Sequence, residues 1–141
     1  MAEQEDVDDS GQAATVTTDG MRATRLHEIR SDILNSLGRH ALSIDGVASR
    51  HGVSPTYVRQ LFAGEGTTFS KFVLEQRLNA ARAMLGDRRF AGRSIAAIAF
   101  EVGFGDLPSF NRIFRRRFGL KPSEVRDGTG KEDEIQRGGT G

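Results

Sequence analysis

Two short stretches of the sequence carry adjacent side chains rich in hydrogen-bond donors and acceptors. Arg59 and Gln60 form the first pair, and Asn111 and Arg112 form the second. An arginine fork can pair with guanine O6 and N7, and a glutamine or asparagine amide can pair with adenine N6 and N7. These residue types therefore predict readout of base edges, provided that helices present them to a DNA groove.

Both pairs belong to predicted amphipathic helices, in which successive side chains are 100° apart. In the first helix the apolar side consists of Val58, Leu61 and Phe62, and the opposite side consists of Thr56, Arg59, Gln60 and Ala63. In the second helix the apolar side consists of Phe110, Ile113, Phe114 and Phe118. Opposite it lie Pro108, Ser109, Arg112, Arg115 and Arg116, with Asn111 at the flank. The alternative interpretation is that both polar sides are only solvated surface.

Each of these helices ends a segment that occurs twice in the chain. At a constant offset of 51, the segment Ser43, Ile44, Val47, Ala48, Gly52 matches Ser94, Ile95, Ile98, Ala99, Gly103. After the glycine the offset becomes 52, and Ser54, Val58, Leu61, Phe62 match Asp106, Phe110, Ile113, Phe114. One extra residue therefore lies in the second turn, near Gly105.

Each copy reads as a short helix capped by serine, a glycine turn and a second capped helix. This is the pattern of a helix-turn-helix, whose second helix can lie in a major groove. The alternative is two helical hairpins that serve only as core. Two copies with basic polar faces favour the DNA-binding interpretation.

The remaining periodicity is also helical, so we predict an all-α fold of seven helices. An apolar stripe marks a first helix from Thr24 to Leu37, and a last short helix starts at Lys121-Pro122. A long helix from about Thr68 to Leu85, with Leu74, Leu78, Ala81 and Leu85 on one side, joins the two helix-turn-helix subdomains. At ~1.5 Å per residue it spans roughly 27 Å, which permits two recognition helices about one duplex turn apart. Packing alone would also explain its length.

Charge divides the chain into three predicted parts. Residues 1–20 hold six acidic and no basic residues, residues 21–127 hold 18 Lys/Arg and 10 Asp/Glu, and residues 128–141 hold two basic and three acidic residues. The basic middle part suggests a polyanionic partner. The polar composition of 1–20 and 128–141 predicts disordered tails flanking a DNA-binding domain over 21–127.

Other classes of function find little support in the sequence. There is no cysteine, and His27, His40 and His51 lack the spacing of metal ligands. The Gly103-Phe-Gly105 segment lacks both the signature and the preceding strand of a phosphate loop. No apolar run reaches membrane-spanning length and the acidic N-terminus is no secretory signal, so we expect a cytoplasmic protein with no enzymatic activity, no cofactor and no metal.

The repeat also resembles a known family. The segments SIAAIAFEVGF (94–104) and FNRIFRRRFGLKPSEVR (110–126) are similar to the signature of the AraC/XylS family of bacterial regulators, and GVSPTYVRQLF (52–62) fits its weaker half. The resemblance covers about residues 24–127. It implies a seven-helix DNA-binding domain that contacts RNA polymerase, usually as an activator. By position in the family pattern, the residues that read bases are Thr56, Arg59, Gln60, Leu107, Pro108, Asn111 and Arg112.

The chain departs from the family pattern at two points. Leu107-Pro108 replaces a polar pair at the start of the second recognition helix, which favours contact with a thymine methyl or with phosphates there. Most members also carry a sizeable sensor or dimerisation domain, whereas only about 20 residues precede the first apolar stripe. We therefore expect either a stand-alone regulator or the DNA-binding end of something longer.

Taken together, these features predict a transcription regulator that binds duplex DNA sequence-specifically, as a monomer and without a small-molecule effector, in the bacterial cytoplasm at the nucleoid. Arg115, Arg116 and Arg117 are equally consistent with phosphate contact and with solvated surface, and Arg115 and Arg116 join the predicted DNA-binding residues. The second hypothesis is a helical protein-interaction module whose basic face binds an acidic partner.

Overall fold

The computed structural model describes the backbone of residues 2–39 and 42–128, with side chains from residue 19 onward. Regular structure within these residues is entirely helical, which confirms the predicted fold class. The α-helices are α1 (Ala2–Asn35), α2 (Ile44–Arg50), α3 (Pro55–Gly64), α4 (Phe69–Leu85), α5 (Ile95–Glu101) and α6 (Leu107–Phe118), followed by α7 over residues 122–128. A 3-10 turn, Arg88–Phe90, lies between α4 and α5.

The chain folds into two compact units. Unit 1 comprises Met1–Asn35 and Ser43–Phe69, and unit 2 comprises Ser36–Leu42 and Ser70–Gly141. Each unit contains one copy of the predicted repeat, α2 and α3 in the first and α5 and α6 in the second. The long helix α4 carries the chain from one copy to the next.

In unit 1, α1, α2 and α3 contact one another and bury their apolar sides. The stripe predicted on the first helix is confirmed, because Leu26, Ile29 and Ile33 are all buried. The partners from α2 and α3 are Val47, Ala48, Val58, Leu61 and Phe62. The Phe62 ring also packs edge-on against Phe69, with 6.0 Å between the ring centroids.

A polar network fixes the end of α2 to α1. The Asp32 carboxylate accepts hydrogen bonds from Arg50 Nε at 3.0 Å and pairs with His51 Nε2 at 2.9 Å. Arg25 donates to the His51 carbonyl at 3.2 Å. Burial raises the pKa of Asp32, but the hydrogen bonds from Arg50 and His51 outweigh it and hold this pKa below its usual value. The network therefore fixes the turn from which α3 starts.

Unit 2 has an aromatic core formed by α4, α5 and α6. Its rings pack in sequence from Phe104 to Phe110, Phe114 and Phe118, with centroid separations of 4.9, 5.4 and 4.7 Å. Edge-on and tilted ring pairs at such distances add to the hydrophobic gain of burial. The other buried members of this core are Leu78, Ala81, Leu85, Ile98, Ala99 and Val102.

The prediction is wrong for one residue of the apolar stripe on the long helix. Leu74 is exposed at 36%, whereas Leu78 and Leu85 are buried as expected. Phe69 packs on Phe62 of unit 1, while Leu78 and Leu85 belong to the core of unit 2. A helix that contributes to two cores changes its buried side along its length, so no single stripe describes it.

The first helix is longer than its apolar stripe. α1 begins at Ala2, whereas the stripe placed the start at Thr24. An apolar stripe need not extend over a whole helix, and no proline interrupts the chain before Pro55. The domain boundary at residue 21 and the disordered state of residues 1–20 stay predictions. The tail predicted over 128–141 lies outside the described residues, except for its first residue.

Candidate nucleic-acid interface

The two copies of the repeat fold alike within their own units. α2 (Ile44–Arg50) and α5 (Ile95–Glu101) each have 7 residues, and their first residues differ by the predicted offset of 51. α3 starts at Pro55 and α6 at Leu107, so the offset of 52 after the turn is also confirmed. The second helix of each copy can therefore have the same role.

The capping residues predicted from the sequence precede all four helices of the repeat, α2, α3, α5 and α6. Each cap has extended backbone angles, and its side-chain oxygen accepts a hydrogen bond from the N–H three residues later. These bonds are 3.1 Å for Ser43, 3.0 Å for Ser54 and Ser94, and 2.7 Å for Asp106. The hydrogen bonds from Ser109, followed by the charge of Arg112, hold the pKa of Asp106 below its usual value.

The turn in each copy depends on a glycine with positive φ, +66° at Gly52 and +110° at Gly103. The second turn is also crowded, because a Cβ on Gly103 would overlap the Leu37 carbonyl and the Arg77 guanidinium. Arg77 in turn donates to the carbonyls of Leu37 and Arg39 at 3.2 and 3.1 Å. Arg77 thereby ties the turn before α6 to the segment that follows α1.

In unit 1, α3 presents the predicted polar side to solvent. Thr56, Arg59 and Gln60 are all exposed, while the three apolar residues of the opposite side are buried. In the part of unit 1 whose side chains are described, Arg59 forms no ion pair. Its guanidinium is therefore available to an external acceptor.

In unit 2, α6 exposes a more basic side. Its exposed residues include Pro108, Asn111, Arg112, Arg115 and Arg116, as predicted. Leu107 is half-buried and packs against the aromatic core, so only part of its side chain faces outward. The last residues of α6 also form a ring contact, since Arg117 lies over Phe118 at 4.8 Å from the ring centroid.

Arg117 differs from its two basic neighbours. Its Nε donates to the Glu75 carboxylate at 2.8 and 2.9 Å, so α6 is joined to α4. These hydrogen bonds from Arg117 hold the pKa of Glu75 below its usual value, against the opposing effect of burial. The sequence left Arg117 open as a phosphate contact or a solvated residue; the structure gives it an internal partner instead.

A groove beside α6 adds residues that were not among the predicted contacts. Lys121 and Ser123, from the start of α7, share it with Asn111, Arg112 and Arg115. In the sequence, Lys121-Pro122 indicates only the start of a helix. Thr56, Arg59 and Gln60 thus form one set on unit 1 and the basic groove residues form a second set on unit 2.

Two further findings concern other kinds of site. Among the residues with described side chains, no group of three or more His, Cys, Asp or Glu is placed to hold a metal ion. A search of the same residues finds no helix with the length and apolar character needed to cross a membrane.

Comparison with known proteins gives consistent matches. The model of a family described as "Helix-turn-helix domain" matches residues 47–128. Transcriptional activator RhrA of Rhizobium meliloti (strain 1021) is 39% identical over 102 residues, covering 72% of this chain and 32% of that protein. HTH-type transcriptional activator RhaS of Escherichia fergusonii is 38% identical over 89 residues, covering 62% and 31%. The chain thus spans about a third of the length of these relatives.

Solved structures show the same fold. One is a transcriptional regulator from Chromobacterium violaceum, whose description includes "AraC-type DNA-binding domain-containing proteins". It superposes with a TM-score of 0.70 at 33% identity, covering 76% of this chain and 93% of that chain. The C-terminal domain of AraT, a response regulator from Geobacillus stearothermophilus, gives a TM-score of 0.67 at 24% identity, with 74% and 84% covered. The second likeness concerns the fold alone.

Proposed function

The chain belongs to the AraC/XylS family of helix-turn-helix proteins, and on that premise we propose that it is a transcription regulator that binds duplex DNA sequence-specifically. α3 and α6 are the recognition helices, and each enters one of two adjacent major grooves. The observation that best supports the proposal is that the chain contains two copies of a capped helix-turn-helix. Each copy exposes arginine and amide side chains on its second helix.

The recognition helices divide their contacts by residue type. Thr56, Arg59 and Gln60 read base edges from α3, and Asn111 and Arg112 read them from α6. Leu107 and Pro108 lack side-chain donors, so they contact a thymine methyl group or lie along the backbone. Arg115 and Arg116, further along α6, contact phosphates.

The regulator acts as an activator through contact with RNA polymerase. The support is that the two relatives named above are both described as transcriptional activators. One copy of the chain occupies an asymmetric site, because each chain carries two recognition helices. The proposal includes no enzymatic activity and no small-molecule effector, and it places the protein in the bacterial cytoplasm at the nucleoid.

Binding to duplex DNA at increasing salt, with and without excess non-specific competitor, tests this proposal. A specific regulator shows a steep linear fall of log K with log salt and keeps its preferred duplex in the presence of competitor. A protein-interaction module with a basic face keeps no preferred duplex. That second result would contradict the proposed function.

A further inference from the structure

We propose that the groove between α6 and the start of α7 binds the phosphodiester backbone of one DNA strand and makes unit 2 the electrostatic anchor of the protein. The inference rests on the proposed function, since it assumes that the ligand is duplex DNA. It adds Lys121 and Ser123 to the contact surface. It also predicts that the two units contribute unequally to binding.

The lining of the groove suits a phosphate chain. Three cationic residues, one amide and one hydroxyl line it: Arg112, Arg115, Lys121, Asn111 and Ser123. Asn111 and Arg112 keep the base contacts proposed above, so Arg115, Lys121 and Ser123 are the donors to phosphate. The remaining lining residues are the apolar Ile95, Leu107, Pro108 and Pro122, so no acidic side chain lines the groove. Arginine, lysine, serine and asparagine side chains are the usual donors to phosphate oxygens in protein–DNA complexes.

Two of the three cations have no internal counter-ion. Arg115 and Lys121 are exposed and form no ion pair with any described side chain. Arg112 is partly balanced by the charge of Asp106, the residue that caps α6. Because two of the three cations have no internal counter-ion, the groove keeps a net positive charge that attracts an external polyanion.

Two hydrogen bonds fix the backbone of Lys121. Its backbone N–H donates to the Glu124 side chain at 2.7 Å, and its carbonyl accepts from the Val125 N–H at 3.1 Å. Pro122, the next residue, is buried. These contacts hold the lysine at the edge of the groove and leave its ammonium group available.

Unit 1 provides an internal comparison, because two grooves beside α3 have a different lining. One groove beside α3 has a single cation, Arg25, whose guanidinium donates to the His51 carbonyl, and it also contains Glu28. A second groove beside α3 contains Arg22 together with two acidic residues, Asp19 and Glu65. Neither of these two grooves combines several cations without an acidic residue.

The recognition helix of unit 2 also carries more cations than that of unit 1. At the offset of 52, the positions of Arg115 and Arg116 in α6 correspond to Ala63 and Gly64 in α3. The C-terminal half of α3 therefore carries no cation where α6 carries two. Sequence-independent attraction is accordingly concentrated on unit 2, while unit 1 contributes mainly through Arg59 and Gln60.

The test measures the salt dependence of binding to a random-sequence duplex for Lys121→Gln, Arg115→Gln and the double variant. Each phosphate contact contributes about 0.9 to the slope of log K against log salt. We expect the slope to fall by about one for each single variant and by about two for the double variant, with base preference unchanged. The matched control is Arg89→Gln, which removes one charge from unit 2 outside the groove, where Arg89 pairs with Asp87 at 2.6 Å.

Duplexes with one neutral methylphosphonate at successive positions locate the contact. In the preferred duplex, neutralising a phosphate that the wild-type chain contacts weakens binding, and in Lys121→Gln at least one of these positions no longer does. The inference is overturned if Lys121→Gln and Arg89→Gln have the same slope of log K against log salt. It is also overturned if the losses of binding free energy from Lys121→Gln and from the methylphosphonate are additive at every position. An acidic protein segment as the true occupant gives this same overturning result. Failure of the wild-type chain to prefer any duplex would instead refute the proposed function.

Discussion

Arg59→Ala is the variant that most sharply separates base readout from general attraction to DNA. Arg59 is exposed on α3 and forms no ion pair in the part of unit 1 with described side chains, so its removal leaves the core intact. An arginine fork on guanine supplies about 1–3 kcal/mol of discrimination at one base pair. With about 1.4 kcal/mol per factor of ten, Arg59→Ala should reduce the preference at one position by about 5- to 150-fold.

The assay measures the dissociation constant for a preferred duplex and for every single-base-pair substitution of it. The wild-type chain should discriminate at the position that Arg59 reads, and Arg59→Ala should bind all four pairs there about equally. Arg59→Lys is the informative control, because it keeps the charge and loses the planar fork. It should retain the salt slope and lose most of the discrimination. An equal loss for all duplexes, or no loss, would refute the readout role of Arg59.

Three further predictions concern phosphate contact, packing and pH. Arg116→Ala should weaken binding to all duplexes alike and reduce the salt slope by about one; a change confined to one base position would contradict this. Phe110→Ala empties a fully buried position between two other rings and should cost about 3–5 kcal/mol in urea unfolding; a cost below about 1 kcal/mol would contradict the packing described. The pKa of Asp32 is lowered in the folded state, so its carboxylate stabilises the fold above its unfolded pKa and loses this effect as pH falls through the folded value. Asp32→Asn should therefore be less stable than the wild type at pH 7 and approach it in acid; a pH-independent difference would contradict this.

The starts of the four repeat helices were predictable because each depends on a local pattern. Ser43, Ser54, Ser94 and Asp106 each precede an apolar periodicity, and a cap needs only the N–H three residues later. The duplication was equally visible, since two copies in one chain act as their own comparison. The family resemblance, which the comparisons confirm, rests on these same local features.

Contacts between distant parts of the chain were not predictable. Arg117 pairs with Glu75, 42 residues earlier, and nothing near Arg117 distinguishes it from Arg116. The exposure of Leu74 depends on where α4 passes from one core to the other. The basic groove needs the fold to bring Lys121 beside α6. Each of these features is set by tertiary structure rather than by periodicity.

The 3-10 turn Arg88–Phe90 was also missed. Three residues are too few to show a periodicity, and its only signal is Asp87, whose side chain accepts from the Arg89 N–H at 2.9 Å. The turn nevertheless bears on the structure of unit 2, because Arg126 of α7 donates to the Phe90 carbonyl at 3.2 Å. This contact ties α7 to the segment between α4 and α5.

Selection of bound sequences from a pool of random duplexes tests the central claim most directly. Two recognition helices in adjacent major grooves predict two clusters of constrained base pairs, with centres about 10–10.5 base pairs apart, in an asymmetric site. Enrichment of a single cluster, or no enrichment at all, would contradict the account.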